Sequence, residues 1–282
     1  MNLKSLLCLL LFSFGYVQLS VLPAQSVQQK ITDLVNHPGL RNASIGIDVM
    51  NLETGERVAS YLPERALIPA STQKLITTAT ALNLLGETAT FRTVLATDGN
   101  FENGILDGNL FIVGGGDPTL GSPFLKSATK GDVIIQNWKT AVLAAGIKEI
   151  KGAVITDDSY YGTDGAAADW PWSDLGNYYG AGSYGLNWHE NFYYLDFLQR
   201  QREGEMASVI RTRPAIPGLR LLNEIRTGPR GSGDNAYIYG APFNFENYIR
   251  GTIPPGSGRF TVKGSIPDPP LFVAQLLTEN LI

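Results

Sequence analysis

The sequence predicts an α+β protein in which a long β-rich block interrupts a helical framework. Three observations lead there. The early chain reads helix, β-hairpin, helix; short apolar runs punctuated by Gly and Pro then extend from about Thr97 to Thr261; and the last stretch returns to helical spacing. With 282 residues, 44% of them hydrophobic and 17% charged, the chain can bury a sizeable core in one or two domains.

The first 26 residues, "MNLKSLLCLLLFSFGYVQLSVLPAQS", carry one cation at Lys4, an apolar run from Leu6 to Val17 and a small-x-small site at Ala24 and Ser26. The run is shorter than the roughly 20 residues a spanning helix needs, so it reads as a secretory signal peptide. Cys8 is the only cysteine and lies within it, leaving the rest without disulfide, thiolate nucleophile or cysteine metal site. An exported, cysteine-free chain with a large core fits a bacterial periplasm. The net charge of -4, with no basic run, gives no electrostatic footprint for nucleic acid.

From Val27 to Asn36 the apolar residues Ile31, Leu34 and Val35 fall at helical spacing, and "NHPG" ends the helix. Alternation at Ile45, Ile47 and Val49, the turn "ETGE", and then Val58 and Tyr61 predict a hairpin. "PASTQKLITTATALNLLG", Pro69 to Gly86, predicts a helix with Leu75, Thr78 or Ala79, Leu82 and Leu85 on one buried face and Gly86 as its stop. "FRTVLATDG", "GILDGNLFIVGGGDP" and "GAVITDDSYYG" read as strands around one helix, "DVIIQNWKTAVLAAG". A second β-rich run covers "MASVIRTRP", "NAYIYGAP" and "RFTVKGSIPDP", and the aromatic group "NFYYLDF" is expected to pack this block, with a sugar-contacting face as the alternative. The final "PPLFVAQLLTENLI" predicts a helix presenting Leu271, Ala274, Leu277 and Leu281, with no Gly or Asn stop, as though the chain continued. These elements divide the chain as 1–26 leader, 27–96 first segment, 97–261 inserted β-rich block and 262–282 return.

Ser71 and Lys74 form an S-x-x-K, a spacing that a chain of this length contains on the order of once by chance. A second copy, Ser127 to Lys130, is separated from the next helix by Gly131. Ser71 could simply be an N-cap. A capping box, however, wants Glu or Gln three residues on, and Lys74 has only donors and opposes the helix dipole by about 0.3 to 1 kcal/mol. The catalytic alternative accounts for the departure: residues i and i+3 share a helix face, which places the amine one turn above the hydroxyl as its base. Burial and the positive helix end would favour the uncharged amine, and free N–H groups at the helix start could receive an oxyanion.

"PASTQKLITTATALNLLG", "GNLFIVGGGDPTL", "DWPWSD", "GDNAYIYGAP" and "KGSIPDP", in that order, resemble the class C low-molecular-mass penicillin-binding proteins, the D-alanyl-D-alanine carboxypeptidase/endopeptidase family of S13-type serine peptidases. The resemblance implies a penicillin-binding-protein/β-lactamase-like transpeptidase domain, incomplete here, carrying a large inserted domain. It implies Ser71 as nucleophile, Lys74 as general base and the Ser71 N–H as half of an oxyanion hole. Asp174 of "DWPWSD" would face the amino group on the third residue of a peptidoglycan stem peptide, or else be a plain turn carboxylate. β-Lactam antibiotics would be covalent inhibitors, with no metal and no cofactor required. Carboxypeptidase and endopeptidase action, and oligomeric state, stay open.

The family's later motifs, S-x-N and K-T-G, are missing. "RTG" at Arg226 to Gly228 and "SGDN" at Ser232 to Asn235 imitate them in reversed order and are read as turns. The sequence therefore looks truncated at Ile282, and these residues alone are expected to be nearly inactive, since loss of one oxyanion donor costs roughly a hundredfold or more. A class A β-lactamase would need S-D-N about 60 residues after the nucleophile, where this chain reads "KGDVII". A non-catalytic peptidoglycan-binding protein of the same fold is the rival from another class. "GGGDP" lacks the phosphate-loop pattern and reads as a turn, as do Asp157 and Asp158 at a strand end. "HEN" at His189 lacks a second histidine, position 193 being Tyr193, and His37 has no neighbouring ligand type.

Overall fold

The computed structural model describes residues 26–162 and 164–282. The expected leader lies outside the described residues except for Ser26, whose hydroxyl caps the first helix by accepting from Gln29 N at 3.1 Å. The chain divides into two compact units, 1–88 and 89–282.

In the first unit, α1 (Val27–Val35) buries Ile31 against the hairpin of β1 (Ile47–Met50) and β2 (Arg57–Tyr61). The expected hairpin forms, with Ile47 opposite Tyr61 and Val49 opposite Ala59. Gln28 fastens the helix to the strand, because its side-chain amide donates to Ser60 O at 3.2 Å and accepts from Ser60 N at 3.0 Å. Then α2 (Gln73–Leu85) ends at Gly86, whose φ of 77° is one that glycine tolerates best. The predicted buried face of α2 is corrected here. No residue of this helix is buried, and Leu75 and Leu84 are 71% and 74% exposed. An apolar stripe selects which side a helix would bury, but a second layer must cover it, and the hairpin of this unit packs on α1.

The second unit opens with β3 (Val94–Thr97), β4 (Asn100–Glu102), β5 (Ile105–Asp107) and β6 (Leu110–Val113), followed by α3 (Gly131–Ala144), β7 (Glu149–Ile150) and β8 (Val154–Asp157). β6 is central to one sheet, antiparallel to β3 and parallel to β8, so α3 is the crossover of a βαβ unit. After a one-turn α4 (Trp172–Leu175) come β9 (Phe192–Leu198), β10 (Ser208–Arg213), β11 (Arg220–Asn223), β12 (Arg226–Thr227), β13 (Asn235–Tyr239), β14 (Glu246–Ile253) and β15 (Arg259–Ser265). They build an antiparallel sheet ordered β10-β9-β15 and a mixed sheet in which β14 pairs with β11, β12 and β13. Helix α5 (Pro269–Leu281) closes the unit, packing on β8 and α3. The α+β class and its β-rich block are as the sequence predicts. The compact units part near residue 88, and α5 lies in the same unit as the β-rich block.

Two local expectations change. Arg226–Thr227 is a strand, not a turn: Thr227 is buried and pairs with Ile253 in parallel register. In α5 the residues buried include Phe272, Val273, Ala274 and Leu277, whereas Leu271 is 40% exposed. Neighbours on two sides, β8 and α3, widen the buried arc and rotate it from the single stripe the sequence suggested. The aromatic group 191–197 packs the β-rich block as expected: it forms the central strand β9, with Phe192, Tyr193, Leu195 and Phe197 all buried.

The "GGGDP" segment is a turn at the end of β6, where Asp117 Oδ1 accepts from Thr119 N at 2.8 Å. Its glycines admit a second backbone: a Cβ on Gly114 would stand 2.3 Å from Gly185 O. Because the obstructing atom is main chain, Gly114→Ala is expected to destabilise by about 3 kcal/mol, the upper part of the overpacking range. Urea unfolding should show a lower midpoint at unchanged slope.

Candidate active site

Pro69 begins a 3-10 turn, Ala70–Thr72, that runs straight into α2. Ser71 therefore sits inside a continuous helical start and is not the N-cap. No side-chain cap bond is made at either junction. The S-x-x-K spacing does what helix geometry requires of it: Lys74 Nζ lies 3.4 Å from Ser71 Oγ. That is long for a hydrogen bond, and nucleophile–base contacts are characteristically looser before substrate binds. The pair is exposed, so the burial invoked for Lys74 is absent from this structure.

The residue before Ser71 carries a feature the sequence did not signal. Ala70 has φ 46°, in the left-handed region that a side chain enters at roughly 1 to 3 kcal/mol of strain. Thr72 braces the same turn, its hydroxyl and its N–H both donating to Pro69 O, the latter at 3.1 Å. Together they fix the direction from which Ser71 enters the helix.

Asp174 lies in the second unit, on α4. Its N–H donates to Pro171 O at 2.9 Å and its carbonyl accepts from Asn177 N at 2.9 Å. Asn177 anchors this turn to β13 by bonding both main-chain groups of Ile238, accepting at 3.1 Å and donating at 3.3 Å. The half-buried carboxylate accepts from the Ser173 hydroxyl at 3.3 Å. Its charge is also felt at Tyr179, whose phenol is pushed up by burial first and by Asp174 second. The turn is thus rigidly held while Asp174 keeps acceptor capacity.

The imitations of the later motifs are accounted for structurally. Arg226 donates to Gly204 O at 3.0 Å, and Asn235, the first residue of β13, donates back to Ser232 O at 2.8 Å in the preceding loop. Of the second S-x-x-K, Lys130 is the N-cap of α3, and no side-chain cap bond is made there. His189 Nδ1 faces Phe192 O at 2.9 Å, and burial draws its imidazole below the ordinary histidine value. Among the described residues no three His, Cys, Asp or Glu side chains converge as metal ligands, and no helix is long and apolar enough to cross a membrane.

Residues 27–282 match the D-Ala-D-Ala carboxypeptidase 3 (S13) family. The chain belongs to that family. Among its S13 relatives, the D-alanyl-D-alanine carboxypeptidase DacB of Haemophilus influenzae is 27% identical over 167 residues, which is 59% of this chain and 33% of the relative. The D-alanyl-D-alanine carboxypeptidase of Actinomadura sp. is 29% identical over 144 residues, 51% of this chain and 25% of the relative. The chain thus spans a third or less of the curated relatives it matches. The fold is that of penicillin binding protein 4 (dacB) from Haemophilus influenzae, with a TM-score of 0.65 at 22% identity, covering 84% of this chain and 50% of that one. The same protein complexed with a novel β-lactam superposes with a TM-score of 0.58 at 20% identity, covering 84% of this chain and 48% of that one. In this S13 chain Ser71 and Lys74 stand as an S-x-x-K pair in contact at the head of α2.

Proposed function

We propose that the chain is part of a serine-type D-alanyl-D-alanine carboxypeptidase/endopeptidase that cleaves peptidoglycan stem peptides through an acyl-enzyme on Ser71. The observation carrying this is the contact of Ser71 Oγ with Lys74 Nζ at the head of α2, in a chain of the S13 family. Ser71 Oγ attacks the carbonyl carbon of the penultimate D-alanine while Lys74 takes the hydroxyl proton. The C–N bond then breaks, the terminal amine leaves with a proton, and water cleaves the ester. The Ser71 N–H supplies one oxyanion donor. Asp174 receives the amino group of the stem peptide's third residue. A β-lactam is attacked at its ring carbonyl in the same way and remains as an ester on Ser71, which makes such drugs covalent inhibitors. We propose the bacterial periplasm as its location, a reading supported by the leader-like first 26 residues and by the proposed substrate. We further propose the division into a transpeptidase-like first segment and an inserted β-rich block.

S-x-N and K-T-G are not present within residues 1–282, so this stretch alone is expected to acylate very slowly. The test is labelling with a fluorescent penicillin, with three samples compared: the 282-residue chain, a longer chain carrying both motifs after residue 282, and that longer chain with Ser71→Ala. A strong band in the second alone is the expected pattern. Absence of label from all three would leave the non-catalytic, peptidoglycan-binding alternative in its place.

A further inference from the structure

In the β-rich block, one face of the sheet β10-β9-β15 carries a concentration of positive charge for which acyl transfer has no use. The other face is core, through Tyr193, Leu195 and Phe197. Tyr194, Asp196 and Leu198 point away from that core, and β15 sets Lys263, Thr261 and Arg259 directly opposite them. On β10 a bulge at Ile210 shifts the register, so that Arg211 and Arg213 come opposite Asp196 and Tyr194. Unbroken alternation from Ser208 would have sent both arginines to the buried side. Arg200, just beyond β9, folds back to donate to Ser208 Oγ at 2.8 Å.

Five cations therefore share this face with one buried carboxylate, Asp196, in a chain whose overall charge is negative. The side chains of Arg211 and Arg259 stay 56% and 54% exposed. Aromatic rings interleave with the charges. Arg213 lies 4.8 Å over Tyr194, and Lys263 Nζ stands 4.8 Å from Tyr178 and 4.9 Å from Phe124. Two grooves meet at His189 beside this face. One of about 530 Å³ runs along Phe124, Lys126 and Lys130, and one of about 460 Å³ along Trp188, Tyr194 and Arg213. The acidic groups nearby are Asp132 in the second groove, Glu190, which accepts from the Ser122 hydroxyl, and Glu205, which lines the surface beside Arg200 and accepts from Arg202 Nε at 3.0 Å.

We propose that this face docks the glycan–peptide polymer of the cell wall, separately from the residues that react; this rests on the peptidoglycan reading above. Free carboxylates of the stem peptides pair with the arginine forks, and sugar rings lie against the aromatic walls of the grooves. Each exposed ion pair is weak, so the occupant is a polymer that repeats its carboxylates rather than a single small acid. An anionic membrane would meet the charges but would not enter recessed grooves.

The test is co-sedimentation of the full chain with purified peptidoglycan sacculi at low salt. Binding is expected, and it should fall at least about tenfold in R200Q/R211Q/R259Q, with sacculi whose carboxylates have been amidated, and at high ionic strength. The variant leaves Arg213 in place on Asp196, and the matching Arg→Lys triple variant, which keeps the charge but loses the fork, should bind at a level between the wild type and the glutamine variant. Equal binding by the glutamine variant, equal binding to amidated sacculi, or equally strong capture by vesicles of anionic lipid would overturn the proposal. Ser71→Ala should bind sacculi as the wild type does. In the longer chain carrying both later motifs, binding without penicillin label would defeat the Ser71 assignment alone, and label without binding would defeat this face alone.

Discussion

Replacing Lys74 by alanine, in a chain that carries both later motifs, is expected to lower the rate of acylation by penicillin about a hundred- to ten-thousandfold, the range a positioned general base contributes. Ser71 remains in such a variant, so slow label should still appear at long times. Lys74→Arg distinguishes a base from a mere cation. It keeps the charge and the donors but cannot give up its proton, and it should therefore be as slow as the alanine variant. Thermal melts of both should match the wild type, because Lys74 is exposed and its side chain contacts only the Ser71 hydroxyl among the side-chain bonds described. An arginine variant retaining more than about a tenth of the rate would remove Lys74 from the base role and leave it an electrostatic one.

Asp196→Ala is expected to destabilise the β-rich block by about 3 kcal/mol, the lower end of the range for breaking a buried ion pair. The carboxylate is fully buried and accepts from Arg213 Nε at 2.8 Å and Nη2 at 3.0 Å, from Thr261 Oγ1 at 2.7 Å and from Arg211 Nε at 3.3 Å. The effect sits at the lower end because the orphaned arginines are part-exposed and can turn to water. The Arg213 hydrogen bonds, aided by those of Thr261 and Arg211 and opposed by burial, hold the carboxyl well below the usual carboxylate range. Its folded value lies under its unfolded value of about 4, so its stabilisation is fully present above that pH and is lost as pH falls toward the folded value. Urea unfolding at pH 7 should separate wild type from variant by the full amount, and the gap should shrink by pH 3. A gap under about 1 kcal/mol at pH 7, or one unchanged in acid, would contradict this role.

What the sequence revealed followed the reach of local rules. The hairpin, the helix stops and the Ser71–Lys74 contact all depend on residues within a few positions of one another, where spacing and turn chemistry decide geometry. Ala70 gave no signal, because nothing in "PAS" announces a positive φ. β9 read as an aromatic cluster rather than a strand since it is covered on much of both faces, which erases the alternation that marks a half-buried strand. The exposure of α2 and the rotated face of α5 depend on which layers exist to cover them, and a single stripe of apolar residues does not carry that information. The role of Asp196 needed three arginines brought together by a bulge and two cross-strand pairings, none of which is local.

The central claim is that Ser71 is the residue that becomes acylated. Benzylpenicillin treatment of the chain carrying both later motifs, followed by proteolysis and mass mapping of the adduct, tests it most directly. The account predicts a single penicilloyl group on the peptide containing Ser71, absent from Ser71→Ala and scarcely formed in Lys74→Ala. An adduct on a different serine, such as Ser127 of the second S-x-x-K, or an adduct that persists in Ser71→Ala, would contradict it.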